Sequence, residues 1–383
     1  MQRVLFTGGR SPATLALLRL FAQAGHHCQV AESLQPSLAG ASRYCAKNHR
    51  LPPPRQQTGA FIARLKALLL HEKIDLLIPT CEETFYVSRF MRELESTGCR
   101  VFTSSIDLLT HLHSKYQFNQ LLRTLKLPAP ETERFDNLEQ LLARLPEWQA
   151  YVLKPEFSRF ASQVLIRPQL QQVEYLSVTS EQPWVLQTFL PGPQFCSYSI
   201  AQNGRLRAHS VYPTRYTAGQ GATIYFEAVQ VPEIEAIVAK IVQSLDYTGQ
   251  ISFDFLFSDG LYYPIECNPR TTTGTFLFQP GDQLPDSFLP EQQAIIYAAA
   301  AQPVSLTLAM LLYALPQHLL QLPALLRDMH KAQDPLWQLA DFAPFLAQFG
   351  MLGQTFWRAK RQGLSLLAGS THDIEWNGFW HES

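Results

Sequence analysis

A pair of carboxylates is central to the chemistry that this sequence suggests. Asp254 and Glu266 are twelve positions apart and flank an Asp-Gly dipeptide at 259–260, which is typical of a tight turn between antiparallel strands. Because side chains on one face of a strand recur every second residue, the two acids can lie opposite each other, with Asn268 and Arg270 further along that face. Carboxylate and amide oxygens suit Mg²⁺ when a phosphate completes its coordination, and a guanidinium can bind a phosphoryl or acyl-phosphate oxygen. The alternative is an ordinary hairpin with a polar, solvated face.

Two lysines and one strand end could contact a nucleotide. Lys154 ends an apolar strand and precedes a polar loop, 156–163, so it is placed to meet phosphates under a flap. Lys115 opens a predicted helix, where a bound anion would offset the unfavourable interaction between a positive charge and the helix dipole. A solvated surface lysine is the alternative for Lys115. Residues 187–190 form an apolar strand end before Pro191-Gly192-Pro193, and their backbone could pair with an adenine edge.

The elements that must position these residues fall into three regions. In the first hundred residues, strands predicted at 4–7, 28–31, 75–79 and 100–103 alternate with helices predicted at 11–24, 61–71 and 84–96. This alternation predicts a parallel α/β sheet covered on both faces. Gly8-Gly9 lacks the full G-x-G-x-x-G pattern and is expected to form a tight strand–helix turn, with phosphate binding as the alternative.

The second and third regions have different patterns. From about Ser114, a helix predicted at 115–125 precedes strand-like runs, which predict an antiparallel α+β region. These runs are 150–154, 163–167, 184–189, 197–201, 207–212, 249–257 and 261–266. After about Pro285 the composition is helical, and the 35 residues from Gln292 to Leu326 contain no Asp, Glu, Lys or Arg.

The overall charge excludes one class of partner. Lys plus Arg (31) and Asp plus Glu (32) nearly balance, whereas a nucleic-acid-binding protein needs a surplus of cations. The chain enters an apolar strand at Val4, which leaves no room for a signal peptide, and its six cysteines form no CxxC pair. A reducing, cytoplasmic location is therefore expected.

The ordered set of Lys115, Lys154, residues 187–192, Asp254 and Glu266-x-Asn268-Pro-Arg270 resembles the ATP-grasp superfamily. The resemblance is strongest to its carbamoyl-phosphate-synthase-like and biotin-carboxylase-like branch, and it covers roughly residues 1–282. It implies a parallel α/β pre-ATP-grasp domain at 1–110 and an ATP-grasp nucleotide-binding domain with antiparallel sheets at 111–284. The lid of that second domain is expected at about 145–190. A helical C-terminal extension would occupy 285–383.

The resemblance also implies roles for individual residues. Asp254, Glu266 and Asn268 would bind Mg²⁺, with Mn²⁺ as the alternative ion. Arg270 and Lys154 would steady the transferring phosphoryl group. The contacts to ATP would come from Lys115, Lys154, Ser158, Arg159, Gln187, Thr188, Phe189, Leu190 and Gln194.

Two further segments are candidates for contact with the substrate. Arg215 lies in a basic loop that contains glycine, between predicted strands, and Thr273 and Gly274 follow directly after the metal motif. We expect Arg215 to bind a substrate carboxylate, and an ordinary surface arginine is the alternative.

The activity implied by the resemblance is that of an ADP-forming carboxylate–amine ligase. A small-molecule carboxylate would attack the γ-phosphate of ATP, and an amine or amino acid would then attack the acyl phosphate. A carboxylate is a poor acyl donor until one of its oxygens becomes a phosphate leaving group. The protein therefore has mainly to position groups and neutralise charge.

Departures from the family pattern leave other functions open. The flap after Lys154 has no glycine where the family usually has several, and this favours a non-catalytic ATP-binding or scaffold protein. Gln194 stands at the position where many members have an acidic residue that contacts the ribose. The 4–9 segment and Glu32 favour an NAD(P)-dependent oxidoreductase, but the chain has no Y-x-x-x-K pair. An ATP-dependent carboxylase subunit is a further alternative.

The uncharged C-terminal stretch has four candidate uses. It could pack on the catalytic domain, form a homodimer interface, contact a lipid surface or enclose a long apolar substrate. Pro303, Pro316 and Gln321 interrupt it below the ~20 apolar residues that a spanning helix needs, so no transmembrane span is expected.

Overall fold

The N-terminal region forms the parallel sheet that the sequence predicts. The computed structural model describes residues 1–144, 150–158, 163–219, 221–291, 293–298 and 302–380. The sheet has the order β3-β2-β1-β4-β5, and every pairing in it is parallel. Its strands are β1 (Arg3–Thr7), β2 (His27–Glu32), β3 (Lys47–Arg50), β4 (Leu76–Ile78) and β5 (Arg100–Val101). The edge strand β3 was not predicted, because its residues are all polar and largely exposed.

Helices cover this sheet and connect it to the next region. Ser11 caps α1 by accepting a hydrogen bond from the backbone N–H of Ala13, and Gly25 follows the helix with a positive φ of 86°. The helix predicted at 84–96 is broken into two. The helices are α1 (Pro12–Gln23), α2 (Thr58–Glu72), α3 (Thr84–Arg89), α4 (Met91–Glu95), α5 (Ile106–His113) and α6 (Lys115–Thr124).

A small antiparallel sheet follows, with the order β6-β9-β7-β8. Its elements are β6 (Thr132–Phe135), α7 (Leu138–Leu142), β7 (Tyr151–Pro155), β8 (Leu165–Ile166), α8 (Leu170–Val173) and β9 (Trp184–Thr188). It encloses its own apolar core, in which Leu153, Trp184 and Leu186 are buried. β6 was not predicted, because Glu133 and Arg134 interrupt its apolar pattern.

The central sheet carries the acidic hairpin and has the order β16-β15-β10-β11-β17. It is antiparallel except where β17 joins β11. Its strands and the elements between them are β10 (Gln194–Gln202), β11 (Arg205–Pro213), β12 (Thr217–Ala218), β13 (Ala222–Thr223), β14 (Tyr225–Phe226), α9 (Pro232–Ser244), β15 (Gly249–Ser258), β16 (Leu261–Asn268) and β17 (Ile296–Tyr297).

The C-terminal region is only partly the helical extension that composition predicts. Short 3-10 turns and two-residue strands occupy the described part of 273–305, and helices begin at Thr307. Apolar composition did not distinguish the short strands from helices, because a short edge strand and a helix can both be rich in Ala, Ile and Val. The remaining elements are β18 (Val304–Ser305), α10 (Thr307–Ala309), a π-helical turn (Met310–Ala314), α11 (Leu315–Gln317), α12 (Leu322–Lys331), α13 (Ala343–Gln362) and α14 (Leu366–Gly369).

The end of the described chain packs back onto the N-terminal sheet. The buried guanidinium of Arg10 contacts Asp373 at 2.6 Å and Glu32 at 2.6 Å, and Arg19 contacts Asp341 at 2.8 Å. The Trp376 ring stacks on Phe85 with 4.9 Å between centroids. These contacts lie outside the uncharged stretch 292–326. Within that stretch, Met310, Ala314 and Leu325 are buried in one cluster with Tyr216, Ile224 and Tyr225, so packing on the domain predicted to be catalytic, one of the four candidate uses, is observed.

No single helix in the described ranges has the length and apolar composition needed to cross a membrane. The segments 307–317 and 319–331 meet that test only when taken together, and they bend by 104° between them.

Candidate active site

The hairpin of β15 and β16 places its acids as the spacing predicts. Asp254 pairs directly with Glu266 in the antiparallel register, and a bulge follows between Asp254 and Phe255. Asp259 and Gly260 form the turn with φ of 50° and 77°, values that an Asp-Gly pair adopts readily. Asn268 and Arg270 extend from the same strand end and, with both acids, line one cavity.

This cavity has a volume of about 690 Å³ and lies among the N-terminal sheet, the small sheet, the central sheet and the C-terminal region. The sequence-predicted site residues that line it are Lys154, Gln187, Thr188, Phe189, Leu190, Gln194, Asp254, Glu266, Asn268, Arg270 and Thr273. Four predicted residues, Lys115, Ser158, Arg215 and Gly274, do not line it. Arg159 is outside the described residues.

Lys115 lies behind the cavity wall and is fully buried, so it is not a solvated surface lysine. Its Nζ is 3.7 Å from Glu266 Oε2 and donates to the Ser158 carbonyl at 3.1 Å. Ser158 therefore contacts Lys115 through its backbone carbonyl in this structure. Lys115 is thus paired with Glu266 and does not line the cavity.

Lys154 projects into the cavity from β7. Its Nζ donates to Gln187 Oε1 at 3.0 Å and to the carbonyl of Ile265 at 3.3 Å. Burial, together with the charge of Lys115, lowers the pKa of Lys154 to about 8. Gln187 is held in turn by Thr132, because its Nε2 donates to Thr132 Oγ1 at 3.0 Å.

The ionisation of Asp254 is perturbed by its surroundings. Burial, and then the neighbouring charge of Glu266, raises the pKa of Asp254 to about 6. Asp254 also accepts a hydrogen bond from Cys196 Sγ at 3.1 Å. In the described part of the chain, no group of three or more His, Cys, Asp or Glu side chains is placed to hold a metal ion. A cation here would be bound by two carboxylates, the Asn268 amide and oxygens of the ligand.

Arg270 has a partner that sequence reasoning missed. Its Nε donates to Glu82 Oε1 at 2.7 Å, and another guanidinium nitrogen lies 3.3 Å from Asn268 Oδ1. Glu82 follows β4 at the carboxyl edge of the parallel sheet, where ligand-binding residues concentrate in open α/β sheets. The acidic run Glu82-Glu83 directly after an apolar strand was the signal that could have revealed it.

The predicted substrate residues have different surroundings. Arg215 is half-exposed and forms an ion pair with Asp328 on α12 at 3.0 Å, so it contacts the C-terminal region and does not reach the cavity. A Cβ on Gly274 would come within 2.5 Å of Tyr198, which shows that this glycine allows close packing. Of these three residues, only Thr273 lines the cavity.

Comparisons with known proteins agree with this arrangement. Residues 112–274 match the model of the ATP-grasp domain family. The chain is 25% identical over 198 residues to the carbamoyl phosphate synthase large chain of Archaeoglobus fulgidus, and the match covers 47% of this chain and 18% of that protein. The matched part of the chain thus spans less than a fifth of the length of that relative.

Solved structures share the fold at low sequence identity. The L-amino acid ligase of Bacillus licheniformis has a TM-score of 0.61 and 13% identity, with 76% of each chain covered. Phosphoribosylamine–glycine ligase of Thermotoga maritima has a TM-score of 0.60 and 16% identity, with 79% of this chain and 78% of that chain covered.

A third structure was solved with a nucleotide bound. The biotin carboxylase domain dimer of Hydrogenobacter thermophilus 2-oxoglutarate carboxylase, in complex with MgADP and bicarbonate, has a TM-score of 0.61 and 11% identity, with 79% of this chain and 73% of that chain covered. Residues 112–274 of this chain are therefore an ATP-grasp domain, and the chain is similar in sequence to carbamoyl phosphate synthase and shares its fold with amino acid ligases and biotin carboxylases.

Proposed function

We propose that this protein is an ADP-forming carboxylate–amine ligase that activates a small-molecule carboxylate as an acyl phosphate. The observation that carries the proposal is the convergence of Asp254, Glu266, Asn268, Arg270 and Lys154 on one cavity. These groups supply hard oxygen ligands beside two cations, as phosphoryl transfer requires.

ATP would lie with its adenine against residues 187–190 and its phosphates near Lys154. The paired acids fit a divalent cation, because such an ion would relieve the repulsion by which Glu266 raises the pKa of Asp254. Asp254, Glu266 and Asn268 would hold Mg²⁺ or Mn²⁺, whose charge would offset that of the phosphates. Lys115 would limit the movement of Glu266 from behind the wall.

The chemistry balances in two steps. A carboxylate oxygen attacks the γ-phosphorus, the bond to the β–γ bridging oxygen breaks, and ADP leaves. The amine nitrogen then attacks the acyl carbon, the carbon–oxygen bond to phosphate breaks, and the nitrogen gives up a proton. Arg270, already oriented by Glu82, would neutralise the oxygens of the transferring group in both steps.

The decisive experiment measures ADP release with paired carboxylic acids and amines. Glu266→Gln should lower turnover at least a hundredfold, because it removes a metal-binding charge from the cavity wall. It should also lower the unfolding midpoint, because buried Lys115 loses the carboxylate beside it, so turnover is measured well below that midpoint. The matched control is Glu181→Gln, at an exposed site outside the cavity. Wild-type turnover in the Glu266 variant, or AMP and pyrophosphate as products, would contradict the proposal. ATP binding without ADP release from any pair would favour the non-catalytic alternative.

A cytoplasmic location is part of the same proposal. It would supply ATP and keep the six cysteines reduced, and none of the six is disulfide-bonded.

We also propose that the C-terminal region forms a homodimer. The biotin carboxylase domain with the same fold is a dimer, and this region exposes many large apolar side chains. On α13, Phe349 and Phe356 are both 52% exposed and lie seven residues apart on one helix face. Contiguous exposed apolar surface of this kind marks interaction sites.

Sedimentation velocity tests the proposed dimer. The wild-type chain should sediment as a dimer, and Phe349→Glu combined with Phe356→Glu should sediment as a monomer. Tyr175→Glu, at a residue 85% exposed outside the C-terminal region, should leave the dimer intact. A monomeric wild type would refute this assignment of the surface.

A further inference from the structure

The C-terminal region completes the cavity with a wall that lies beyond the part matched by the ATP-grasp family model. Among the described residues that line the cavity after position 274, none carries a formal charge. Five of the eight have mainly apolar side chains. The eight residues of this wall are Leu306, Ala309, Tyr313, Met351, Thr355, Ser370, Thr371 and Ile374.

The wall lies close to the reacting groups at two places. Leu306 donates its backbone N–H to the carbonyl of Ile224, and Thr223 contacts Thr214 at 3.1 Å. Thr214 is 3.5 Å from Cys196, which donates to Asp254. A short series of contacts therefore joins the apolar wall to the acidic pair.

The second place is beside Arg270. Ser370 of the wall accepts a hydrogen bond from Arg10 at 2.8 Å. Ser370, Arg10, Arg270 and Cys81 all line this cavity. Glu82, the next residue, binds Arg270 directly. The wall and Arg270 therefore face the same cavity.

The charged side chains that line the cavity already have partners or roles in the proposed ATP and metal site. The charged residues among its described lining are Arg10, Glu82, Lys154, Asp254, Glu266 and Arg270. Four of these belong to the proposed ATP and metal site, and Glu82 neutralises Arg270. Arg10 is engaged by both Glu32 and Asp373 and donates to Ser33 and Ser370 as well. Among the described lining residues, a second charge on the substrate would therefore meet no counter-charge that is not already committed.

We propose that the activated substrate is a monocarboxylic acid with an uncharged apolar body, which packs against the C-terminal wall while its carboxylate reaches Arg270. This inference rests on the proposed ligase function and adds the class of its acid. Removal of apolar surface from water would supply much of the binding, and polar groups would fix the carboxylate end.

The test traps acyl phosphate with hydroxylamine and measures hydroxamate with butanoate, hexanoate, octanoate and hexanedioate. Because each buried methylene favours binding, kcat/KM should rise roughly threefold to fourfold per CH₂ along the monocarboxylate series. Hexanedioate, which carries a second charge at its far end, should react at least a hundredfold more slowly than hexanoate.

Variants of two neighbouring residues test whether the wall causes the dependence of kcat/KM on chain length. Met351→Glu should lower kcat/KM for octanoate at least tenfold and leave ATP affinity unchanged, whereas Met351→Leu should retain it. Leu352→Glu changes the adjacent side chain, which does not line the cavity, and should have no effect.

The outcomes separate this inference from the proposed function. Hydroxamate from polar or dicarboxylic acids alone, or rates independent of chain length, would overturn the apolar-acid inference and leave the ligase intact. If no acid yields hydroxamate, the ligase proposal fails. In that case, calorimetric titration of the ATP- and Mg²⁺-loaded protein with octanoate tests whether the cavity binds an apolar acid. Absence of binding would overturn the inference as well.

Discussion

Lys154 illustrates how a single residue in this site is tuned by its surroundings. It is buried and hydrogen-bonded to two neutral acceptors, Gln187 Oε1 and the Ile265 carbonyl, and it lies near the charge of Lys115. These surroundings favour the uncharged amine, so the anionic phosphates of ATP would be the partner that stabilises the ammonium form.

Removal of this cation should weaken ATP binding. Lys154→Met should raise the Kd for ATP by roughly 10- to 100-fold, the usual magnitude for a charge-assisted hydrogen bond. In the wild type, ATP affinity should fall as pH rises through about 8, since the lysine then loses its charge. Calorimetric titration between pH 7 and 9 measures both effects. Lys66→Met, at a partly exposed lysine on α2 outside the cavity, should match the wild type, and a Lys154 variant with unchanged affinity would contradict this placement of the phosphates.

His209 should make the stability of the protein depend on pH. Burial lowers the pKa of His209 to about 4, and its Nε2 has no hydrogen-bond partner within the described ranges. Since the unfolded chain takes up a proton near pH 6.5, stability is complete above that pH and is lost as pH falls towards 4. This histidine should reduce the unfolding free energy by about 2 kcal/mol between pH 7 and pH 5.

Urea unfolding at the two pH values tests the role of His209. His209→Gln keeps a polar group beside Ser199 and should remove most of this pH-dependent difference. An equal difference in the variant and the wild type would assign the effect to other groups.

At the residue scale, the sequence predicted what depends on local spacing. Asp254 and Glu266 were placed correctly because a tight turn fixes the register of one hairpin. Glu82 was missed because it meets Arg270 from 188 positions earlier in the chain, and no local pattern encodes that contact. Arg215 was expected at the substrate, but Asp328, a residue far along the sequence, binds it elsewhere.

Among the elements, the turn that follows β9 depends on one glycine. Gly192 lines the cavity with a φ of 138°, and a Cβ there would lie 1.9 Å from the backbone oxygen of Phe257 on β15. The close approach of these two segments therefore requires a residue without a side chain.

Two glycine-to-alanine changes should differ in cost. Gly192→Ala should reduce the unfolding free energy by at least about 3 kcal/mol, because the clash is with backbone and adds to the strained φ. Gly260 has a positive φ, but a Cβ there would lie in open space. Gly260→Ala should therefore reduce the unfolding free energy by only about 1–2 kcal/mol. Urea unfolding measures both, and equal losses would show that steric contact at Gly192 is unimportant.

The elements themselves were largely predictable where burial follows a regular pattern. The central strands of both larger sheets were found from their apolar runs, whereas the polar edge strand β3 was not. Observed element boundaries differ from the predicted ones where a cap or turn determines them. For example, β10 begins at Gln194, whereas its start was predicted at Ser197. Short strands in the alanine-rich stretch escaped because pairing with distant strands determines them.

For the molecule as a whole, the ion pairs around Arg10 attach the C-terminal region to the N-terminal sheet. Asp373 binds Arg10 and Ser33 and also lies 3.3 Å from Arg358, and the arginine neighbours hold the pKa of this carboxyl well below its usual range. Arg55 and Glu375 form another ion pair between the same two regions. Net charge and composition gave no indication of this attachment, because it pairs residues from opposite ends of the described chain.

Loss of the Asp373 carboxylate should therefore destabilise the protein. Asp373→Ala should cost about 3 kcal/mol or more, since it leaves a buried guanidinium with one of its two acidic partners. Asp136→Ala removes the exposed contact with Arg134 and should cost less than about 1 kcal/mol. Urea unfolding compares the two, and a similar small loss in both variants would show that the buried contact does not secure the C-terminal region.

The long separation between Arg10 and Asp373 also affects how the protein is made. The two residues are 363 positions apart, so at 5–20 residues per second a ribosome needs roughly 20 to 70 s between them. Within that interval Glu32 is made first and the hairpin acids follow, and the residues of the apolar wall, from Leu306 to Ile374, are made last. Synthesis thus supplies the groups proposed to bind the nucleotide before the surface proposed to select the acid is complete.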